Sequence, residues 1–187
     1  MKNQLHPAVF LDRDGVLNRA VVREGKPYPP AGLDELQILP GTMEALEALA
    51  AAGYLLVGIT NQPDVARGTQ RREVVEAINR ALLADLPLVD ILVCYHDDWD
   101  ECDCRKPKPG LLLEAAAHHS LDLPSSFLIG DRWKDMEAGR RAGCRTVLID
   151  YGYPETGPDT RLDHKAASLP EAAAWILSQT NLGGGGG

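Results

Sequence analysis

Five short apolar runs recur along the chain, and the segments between them have the periodicity of helices. The runs cover residues 8–11, 55–59, 91–93, 127–129 and 146–149. Each is nearly continuous in hydrophobicity, which is typical of strands buried on both faces of a parallel sheet. Strands that alternate with helices predict an α/β fold with right-handed crossovers. We therefore expect a Rossmann-like parallel sheet flanked by helices.

Apolar residues at helical spacing predict four helices between the runs and a fifth after the last run. The apolar face expected for the first helix consists of Met43, Leu46, Leu49 and Ala50. The second helix is expected to begin near Thr69, a candidate N-cap. The fifth follows a capping box at residues 168–171 and is predicted to continue through Ile176.

The length of 187 residues predicts one domain, since domains average about 150 residues. We expect that domain over residues 1–182, followed by a flexible glycine tail at 183–187. Residues 19–40 contain four prolines and are interpreted as a long loop. No other segment has room for a lid domain. The predicted fold is therefore capless, with an open site bordered by this loop.

Composition excludes several functional classes. With 44% hydrophobic and 25% charged residues, the chain is predicted to be globular. A net charge of −8 argues against nucleic acid and anionic membranes as partners. No apolar run is long enough for a transmembrane helix, and the first residues do not resemble a secretory signal. We expect a cytoplasmic monomer with reduced thiols.

In a parallel sheet, ligands bind beyond the carboxyl ends of the strands, so the residues after each run are informative. The first run is followed by Asp12, Arg13, Asp14 and Gly15. Two carboxylates at this spacing can share a metal ion, or one can attack while the other moves a proton. A simple turn is the alternative, because Asp and Gly favour turns.

Two further strand ends also carry polar side chains that could bind a ligand. The second run is followed by Thr60, Asn61 and Gln62, which can donate hydrogen bonds to an oxyanion or form an ordinary turn. The fourth is followed by Asp131 and Asp135, which can bind a cation or merely enrich a helix N-terminus in acid.

Three of the four cysteines cluster with a histidine after the third run. The four candidate zinc ligands are Cys94, His96, Cys102 and Cys104. Such a set closes a tetrahedral structural zinc site and leaves no open position for chemistry. Disulfides are the alternative, although a Cys-x-Cys bridge would be strained. Cys144 stands apart and is interpreted as a core residue.

Cations follow the last of these ligands directly. Arg105, Lys106 and Lys108 form either an anion clamp on the zinc loop or a solvated surface run. Taken together, the strand ends offer a nucleophile, metal ligands, an oxyanion donor and a positive clamp. That set suffices for phosphoryl transfer.

These motifs resemble those of a known superfamily. In order they read Asp12-x-Asp14-Gly, Thr60-Asn, Lys106-Pro and Gly130-Asp131-x-x-x-Asp135, as in the haloacid-dehalogenase-like phosphatases. The strings FLDRDGVLN, TNQ, ARG, CDCRKPKPG and GDRWKD look like the histidinol-phosphatase and heptose-bisphosphate-phosphatase branch. The zinc loop is similar to the one in that branch, and the resemblance covers roughly residues 8–150.

The resemblance implies a magnesium-dependent phosphatase that works through an aspartyl-phosphate. Asp12 would be the nucleophile, and Asp14 would protonate the leaving oxygen and then activate water. Magnesium, which prefers oxygen ligands, would be held by Asp12, the backbone carbonyl of Asp14 and Asp131.

The resemblance also implies how substrate is held. Thr60 and Lys106 would hold the phosphoryl oxygens, and Asp135 would orient Lys106 or the helix start. The positions that match substrate contacts are Asn61, Arg105 and Arg132. The implied substrate is a small phosphate ester, a heptose bisphosphate being favoured. Histidinol phosphate or another sugar phosphate is the alternative, because only five residues separate His96 from Cys102.

Two classes of non-enzyme also remain open. A receiver-like signalling domain would share the fold and the clustered acids, but the Asp-x-Asp spacing and the zinc loop argue against it. A zinc-stabilised binding module would lack turnover, and the intact pair of Asp12 and Asp14 argues against it.

Overall fold

Six parallel strands form the central sheet of the computed structural model, which describes residues 4–155, 157–158 and 161–181. The strands of this sheet are β1 (Ala8–Leu11), β4 (Leu55–Asn61), β5 (Asp90–Cys94), β6 (Phe127–Gly130), β7 (Arg145–Ile149) and β8 (His164–Ala166). Their spatial order is β5-β4-β1-β6-β7-β8. After β1, the chain adds β4 and β5 on one side of it and then β6, β7 and β8 on the other side. All five predicted strands and the α/β fold class are confirmed.

Five helices cover the two faces of the sheet. They are α1 (Thr42–Ala51), α2 (Arg72–Asp85), α3 (Gly110–His119), α4 (Trp133–Ala142) and α5 (Leu169–Asn181). Buried residues of α1, α2 and α5 pack on one face with Val9 and Leu11, whereas those of α3 and α4 pack on the other with Ala8 and Phe10. The alternation along β1 explains why its run is continuously apolar, since both faces are covered.

The proline-rich segment is more ordered than the interpretation of residues 19–40 as a loop implied. It contains an antiparallel hairpin of β2 (Val21–Arg23) and β3 (Lys26–Tyr28), followed by a 3₁₀ turn at Leu33–Glu35. Pro27 sits in β3, where a two-stranded ribbon tolerates a missing amide donor. Among the described residues, the segment between β1 and α1 contains this hairpin and the 3₁₀ turn but no lid domain, as the capless prediction expects.

Two predictions of local structure were wrong, and one strand was missed. Met43 and Ala50 are exposed, and the buried face of α1 consists of Thr42, Ala45, Leu46 and Leu49. Helix α2 begins at Arg72, whereas Thr69 lies in the preceding loop and bonds to the Asp64 carbonyl. Strand β8 was not predicted, since three residues with a single buried side chain give no periodic signal.

The C-terminal helix extends to Asn181, beyond the predicted Ile176, and only half of the predicted capping box is formed, because Glu171 bonds to the residue before the N-cap. Glu171 accepts from the Ala167 amide at 2.8 Å, and Ser168 accepts from the Glu171 amide at 3.4 Å. The predicted tail at 183–187 lies outside the described residues, and the single domain over 1–182 stays a prediction. Within the described part of the chain, no helix has the length and apolar character required to span a bilayer.

The buried face of α1 can be tested by paired substitutions. Leu46→Ala should lower the free energy of unfolding by about 2–5 kcal/mol, because it opens a cavity under the sheet. Met43→Ala, on the same helix, should cost less than about 1 kcal/mol. Urea denaturation followed by circular dichroism measures both, and equal losses would contradict the assigned face.

Candidate active site

Side chains from the carboxyl ends of β1, β4 and β6 converge on one cavity of about 620 Å³. Its lining includes Asp12, Asp14, Thr60 and Lys106, with the β2–β3 hairpin along one wall. Because β4 and β6 flank β1 in the sheet, their carboxyl ends meet at the same edge. The predicted motifs are therefore brought together, although the first and last of them are separated by more than a hundred residues in the sequence.

At the base of the cavity, Lys106 is buried between two carboxylates. Its ammonium lies 2.5 Å from Asp12 Oδ1 and 2.6 Å from Asp135 Oδ1, and it also donates to the Ile59 carbonyl at 3.1 Å. Burial alone would lower the pKa of Lys106, but Asp12 and Asp135 raise it, so the ammonium stays protonated. Lys106 therefore supplies a fixed positive charge beneath the cavity.

Three carboxylates lie close together at this point, and two of them, Asp12 and Asp135, pair with the Lys106 ammonium. Oxygens of Asp12, Asp131 and Asp135 all lie within 4.8 Å of one another. Burial raises the pKa of Asp12 to about 7, where Lys106 opposes the shift and Asp135 adds to it. Burial followed by the charges of Asp12 and Asp135 raises the pKa of Asp131 well above its usual range. The cluster has an excess of negative charge that a divalent cation would relieve.

Asp131 shows where such a cation fits. Both of its carboxylate oxygens are buried without a hydrogen-bond partner among the described residues, which is costly unless something else occupies their lone pairs. The turn after β1 leaves room for this carboxylate, because a Cβ on Gly15 would lie 2.2 Å from Asp131 Oδ2. Hard oxygen ligands of this kind suit magnesium.

Thr60 and Asp14 are linked by a residue that cannot reach substrate. The side-chain amide of Gln62 donates to Thr60 Oγ1 at 2.9 Å and to Asp14 Oδ2 at 2.8 Å, and Gln62 is buried. Since the Thr60 oxygen accepts that bond, its own hydroxyl hydrogen is available for the cavity. Gln62, proposed as an oxyanion donor from the sequence, instead orients the two side chains beside it.

Asn61 lines the cavity, but its side chain is hydrogen-bonded to the backbone of the loop that carries Lys106. Its Oδ1 accepts from the Lys106 amide at 3.1 Å, and its Nδ2 donates to the Lys106 carbonyl at 3.0 Å. This paired contact aligns the end of β4 with the clamp. A substrate contact through Asn61 stays a prediction.

The four candidate zinc ligands form one cluster beside this clamp. Their sulfur and Nδ1 atoms are separated by 3.2 to 3.8 Å in the five recorded pairs. A tetrahedron with zinc–sulfur bonds of about 2.3 Å has edges of nearly this length, whereas a disulfide would bring two sulfurs to about 2 Å. All four cysteines are free, and Cys144 is a buried core residue, as predicted, and is not part of the candidate metal cluster. The cluster can hold a metal ion.

A buried aspartate that the sequence did not reveal ties this loop to the rest of the site. Asp97 bonds to Arg67, which comes from the segment after β4, and also pairs with Arg105 at 3.4 Å. Arg105 is anchored further by Asp98 at 2.8 Å. These bonds lower the pKa of Asp97 and of Asp98. No sequence signal pairs Arg67 with an acid thirty positions away.

The cavity lining also includes Arg132, which forms an ion pair with Glu155. Both residues line the cavity, as do Trp133 and Lys134 at the start of α4. The segment that carries Glu155 packs closely, because a Cβ on Gly157 would lie 2.5 Å from the Trp133 ring. Glu155 was missed because its segment follows the last apolar run and shows no motif.

The comparisons with known proteins agree with this geometry. A family described as HAD-hydrolase-like matches residues 103–174. The D-glycero-beta-D-manno-heptose-1,7-bisphosphate 7-phosphatase of Pasteurella multocida is 41% identical over 162 residues, which covers 80% of this chain and 84% of that protein. The enzyme of the same name from Escherichia coli K12 is 34% identical over 185 residues, covering 92% and 88%.

A solved structure is similar over nearly its whole length. It is the D,D-heptose 1,7-bisphosphate phosphatase from B. bronchiseptica complexed with magnesium and phosphate, with 30% identity and a TM-score of 0.76. The alignment covers 92% of this chain and 99% of that one. The chain belongs to the haloacid-dehalogenase-like phosphatase family. It is a phosphoric monoester hydrolase, and its substrate is a small-molecule phosphate ester.

The close approach of Gly15 to Asp131 gives a test of the cluster. Gly15→Ala should lower kcat/KM for a phosphate ester at least about tenfold, because the new methyl displaces a carboxylate that the site needs. Gly53→Ala is a matched control, since Gly53 has a similar φ of +92° against +94° but nothing within 4 Å of its Cβ position.

Both variants carry the same backbone strain, so both should be less stable than the wild-type chain. Only Gly15→Ala should also lower kcat/KM, because only its methyl group meets the Asp131 carboxylate. If Gly53→Ala loses as much kcat/KM, backbone strain and not the Asp131 carboxylate explains the effect.

Proposed function

We propose that the chain removes the 7-phosphate of D-glycero-β-D-manno-heptose 1,7-bisphosphate through an aspartyl-phosphate intermediate. The observation that carries the chemistry is the cluster in which Lys106 lies between Asp12 and Asp135 at the base of an open cavity. The choice of substrate is supported by the names of the relatives that are 34–41% identical.

In the first step, a carboxylate oxygen of Asp12 attacks the phosphorus and the bond to the ester oxygen breaks. Asp14, in its protonated form, gives its proton to the departing alcohol oxygen. Lys106 fixes the orientation of Asp12 through Oδ1, while the Thr60 hydroxyl and the Lys106 ammonium stabilise charge on the phosphoryl oxygens. The products of this step are the free alcohol and a phosphorylated Asp12.

In the second step, water attacks the phosphorus of the intermediate. The Asp14 carboxylate left by the first step accepts a proton from that water, and the bond between phosphorus and the Asp12 oxygen breaks. Inorganic phosphate is released with Asp12 and Asp14 restored to their starting forms. Both residues line the cavity, so both can reach the same phosphoryl group.

Magnesium would be held by Asp12, Asp131 and the backbone carbonyl of Asp14. Its chemistry there is to neutralise phosphoryl charge and to balance the crowded carboxylates. The unpartnered oxygens of Asp131 support this assignment. Asp135 is engaged by the Lys106 ammonium and by the Arg132 amide at 3.1 Å, so we assign it to positioning and not to the metal.

Selectivity arises from the rim of the cavity. Arg105 and Arg132 both line the cavity, and we assign them to contacts with the part of the substrate that is not transferred. A second phosphate supplies the negative charge that such guanidinium groups bind in bidentate fashion. The hairpin of β2 and β3 completes the rim.

The proposed substrate is tested by comparing phosphate release from heptose 1,7-bisphosphate, histidinol phosphate and a panel of sugar monophosphates. We expect the highest kcat/KM for the heptose bisphosphate, by at least about tenfold, since the second phosphate adds ion pairs at the rim. A higher value for histidinol phosphate would overturn the assignment of substrate and leave the reaction intact.

The same assay tests the nucleophile. Asp12→Asn should lower kcat by several orders of magnitude, because an amide neither attacks phosphorus nor carries the charge that the cation requires. Asp85→Asn, an exposed acid at the end of α2, should behave as wild type. Retention of more than about a tenth of kcat in Asp12→Asn would remove that residue from the role.

For the Cys/His cluster we propose a structural zinc. Three sulfurs and one imidazole nitrogen complete a tetrahedron, so no position is open for chemistry. Cys104 is followed directly by Arg105 and Lys106. The metal would therefore hold the loop that positions the phosphate clamp, and act on catalysis through geometry alone.

Cys104→Ser tests this role. The variant should lose zinc in elemental analysis and lose about 10- to 100-fold in kcat/KM, because a clamp misplaced by 1 Å is inefficient. Its circular dichroism spectrum should stay that of an α/β fold. Cys144→Ala is the control and should keep zinc and kcat/KM. A zinc-free Cys104→Ser variant with wild-type kinetics would refute the positional role.

A further inference from the structure

The residue between the two aspartates of the first motif has an unusual environment. Arg13 is fully buried, and its guanidinium reaches two side chains. Nη1 donates to Asn79 Oδ1 on α2 at 2.9 Å. Nη2 donates to Asp14 Oδ2 at 2.9 Å, and Nε donates to Asp14 Oδ1 at 3.3 Å, which is a two-pronged contact. Among the described residues, Asp14 is the one carboxylate paired with this buried cation.

Two further donors fix the same carboxylate from other parts of the fold. Asn18 Nδ2 donates to Asp14 Oδ1 at 2.9 Å, and Gln62 Nε2 donates to Oδ2 at 2.8 Å. Asn18 and Gln62 are themselves buried. Groups from the turn after β1, from the end of β4 and from α2 thus converge, directly or through Arg13, on one carboxylate at the cavity wall.

The backbone of this turn is fixed independently of the side-chain contacts. The Arg13 carbonyl accepts from the amides of Leu17 at 2.9 Å and Asn18 at 3.1 Å, and Gly15 donates to the Asn18 carbonyl at 2.7 Å. The backbone bonds therefore close the turn without the guanidinium. What the guanidinium adds is control over the side-chain torsions of Asp14.

We propose that Arg13 is a positioning residue for proton transfer, which holds the Asp14 carboxyl group in line with the leaving oxygen. The proposal rests on the proposed function, because it requires Asp14 to act as the acid. Without the guanidinium, the backbone position of Asp14 is unchanged, but its carboxyl group loses its fixed orientation. Because general acid catalysis depends on the alignment of the proton donor, proton transfer becomes slower.

Two classes of substrate separate this role from a structural one. An alcohol leaving group needs a proton as it departs, whereas 4-nitrophenolate leaves without one. In Arg13→Met, kcat/KM should fall about 30-fold for whichever alcohol phosphate is the better substrate. This is less than the roughly 10²–10⁴-fold that acid catalysis contributes, because Asp14 itself is still present. For 4-nitrophenyl phosphate the fall should be at most about threefold. Arg80→Met, an exposed arginine on α2, is the matched control and should change neither value.

Asp14→Asn distinguishes failure of the inference from failure of the proposed function. Suppose that Asp14→Asn loses kcat/KM selectively on the alcohol phosphate, whereas Arg13→Met loses it equally on both substrates. This result would overturn the inference about Arg13 and leave the acid role of Asp14 intact. Equal losses in Asp14→Asn overturn the acid role, and the inference with it.

If Arg13→Met does not fold, Asn79→Ala provides the test. It removes the second anchor of the guanidinium without touching the turn or the cavity, so the same selectivity is expected with a smaller loss of about fivefold. Wild-type kinetics on both substrates in a folded Asn79→Ala variant would overturn the proposal.

Discussion

The buried ammonium of Lys106 is the interaction on which the rest of the site depends. It joins Asp12, which follows β1, to Asp135, which belongs to α4, and it bonds to the carbonyl of Ile59 in β4. Removing the ammonium would leave the buried carboxylates of Asp12 and Asp135 without a compensating charge, which is far more costly than the ion pairs are stabilising. The contact therefore fixes the ends of β1 and β4 and the start of α4 relative to one another. Because these segments line the cavity, the contact also fixes the positions of the cavity side chains.

The position of Lys106 is itself set from outside the cluster. Asn61 holds its backbone at both the amide and the carbonyl, and the Cys/His loop precedes it in the sequence. Asp97 ties that loop to Arg67 and Arg105. The zinc that we propose for this loop would stabilise the clamp without any metal chemistry at phosphorus. The two metal sites proposed here are separate in kind: soft ligands fix a loop, and hard ligands balance charge.

Much of the architecture could be predicted because strong signals coincide. Runs such as residues 8–11 are apolar at every position, so they identify buried strands, and the acids directly after them identify the sheet edge. Partners that depend on tertiary packing gave no such signal. Asn79 was indistinguishable from any polar helix residue, and Gln62 carried the same donor groups as Asn61 although it faces inward. Met43 was misplaced because a shift of one residue rotates a helix by about 100°.

Charge in the site is separated in a way that net charge cannot reveal. The chain carries −8 overall, and the base of the cavity is acidic, yet the walls present guanidinium groups. Those groups are already paired, Arg105 with Asp98 and Arg132 with Glu155. In the proposed substrate complex, a phosphate bound by these guanidinium groups would replace or share the two carboxylates, and the acids would regain their partners when the product leaves. The binding energy of that contact would be a difference between two sets of ion pairs, which would favour selectivity for a second phosphate over tight retention of the product.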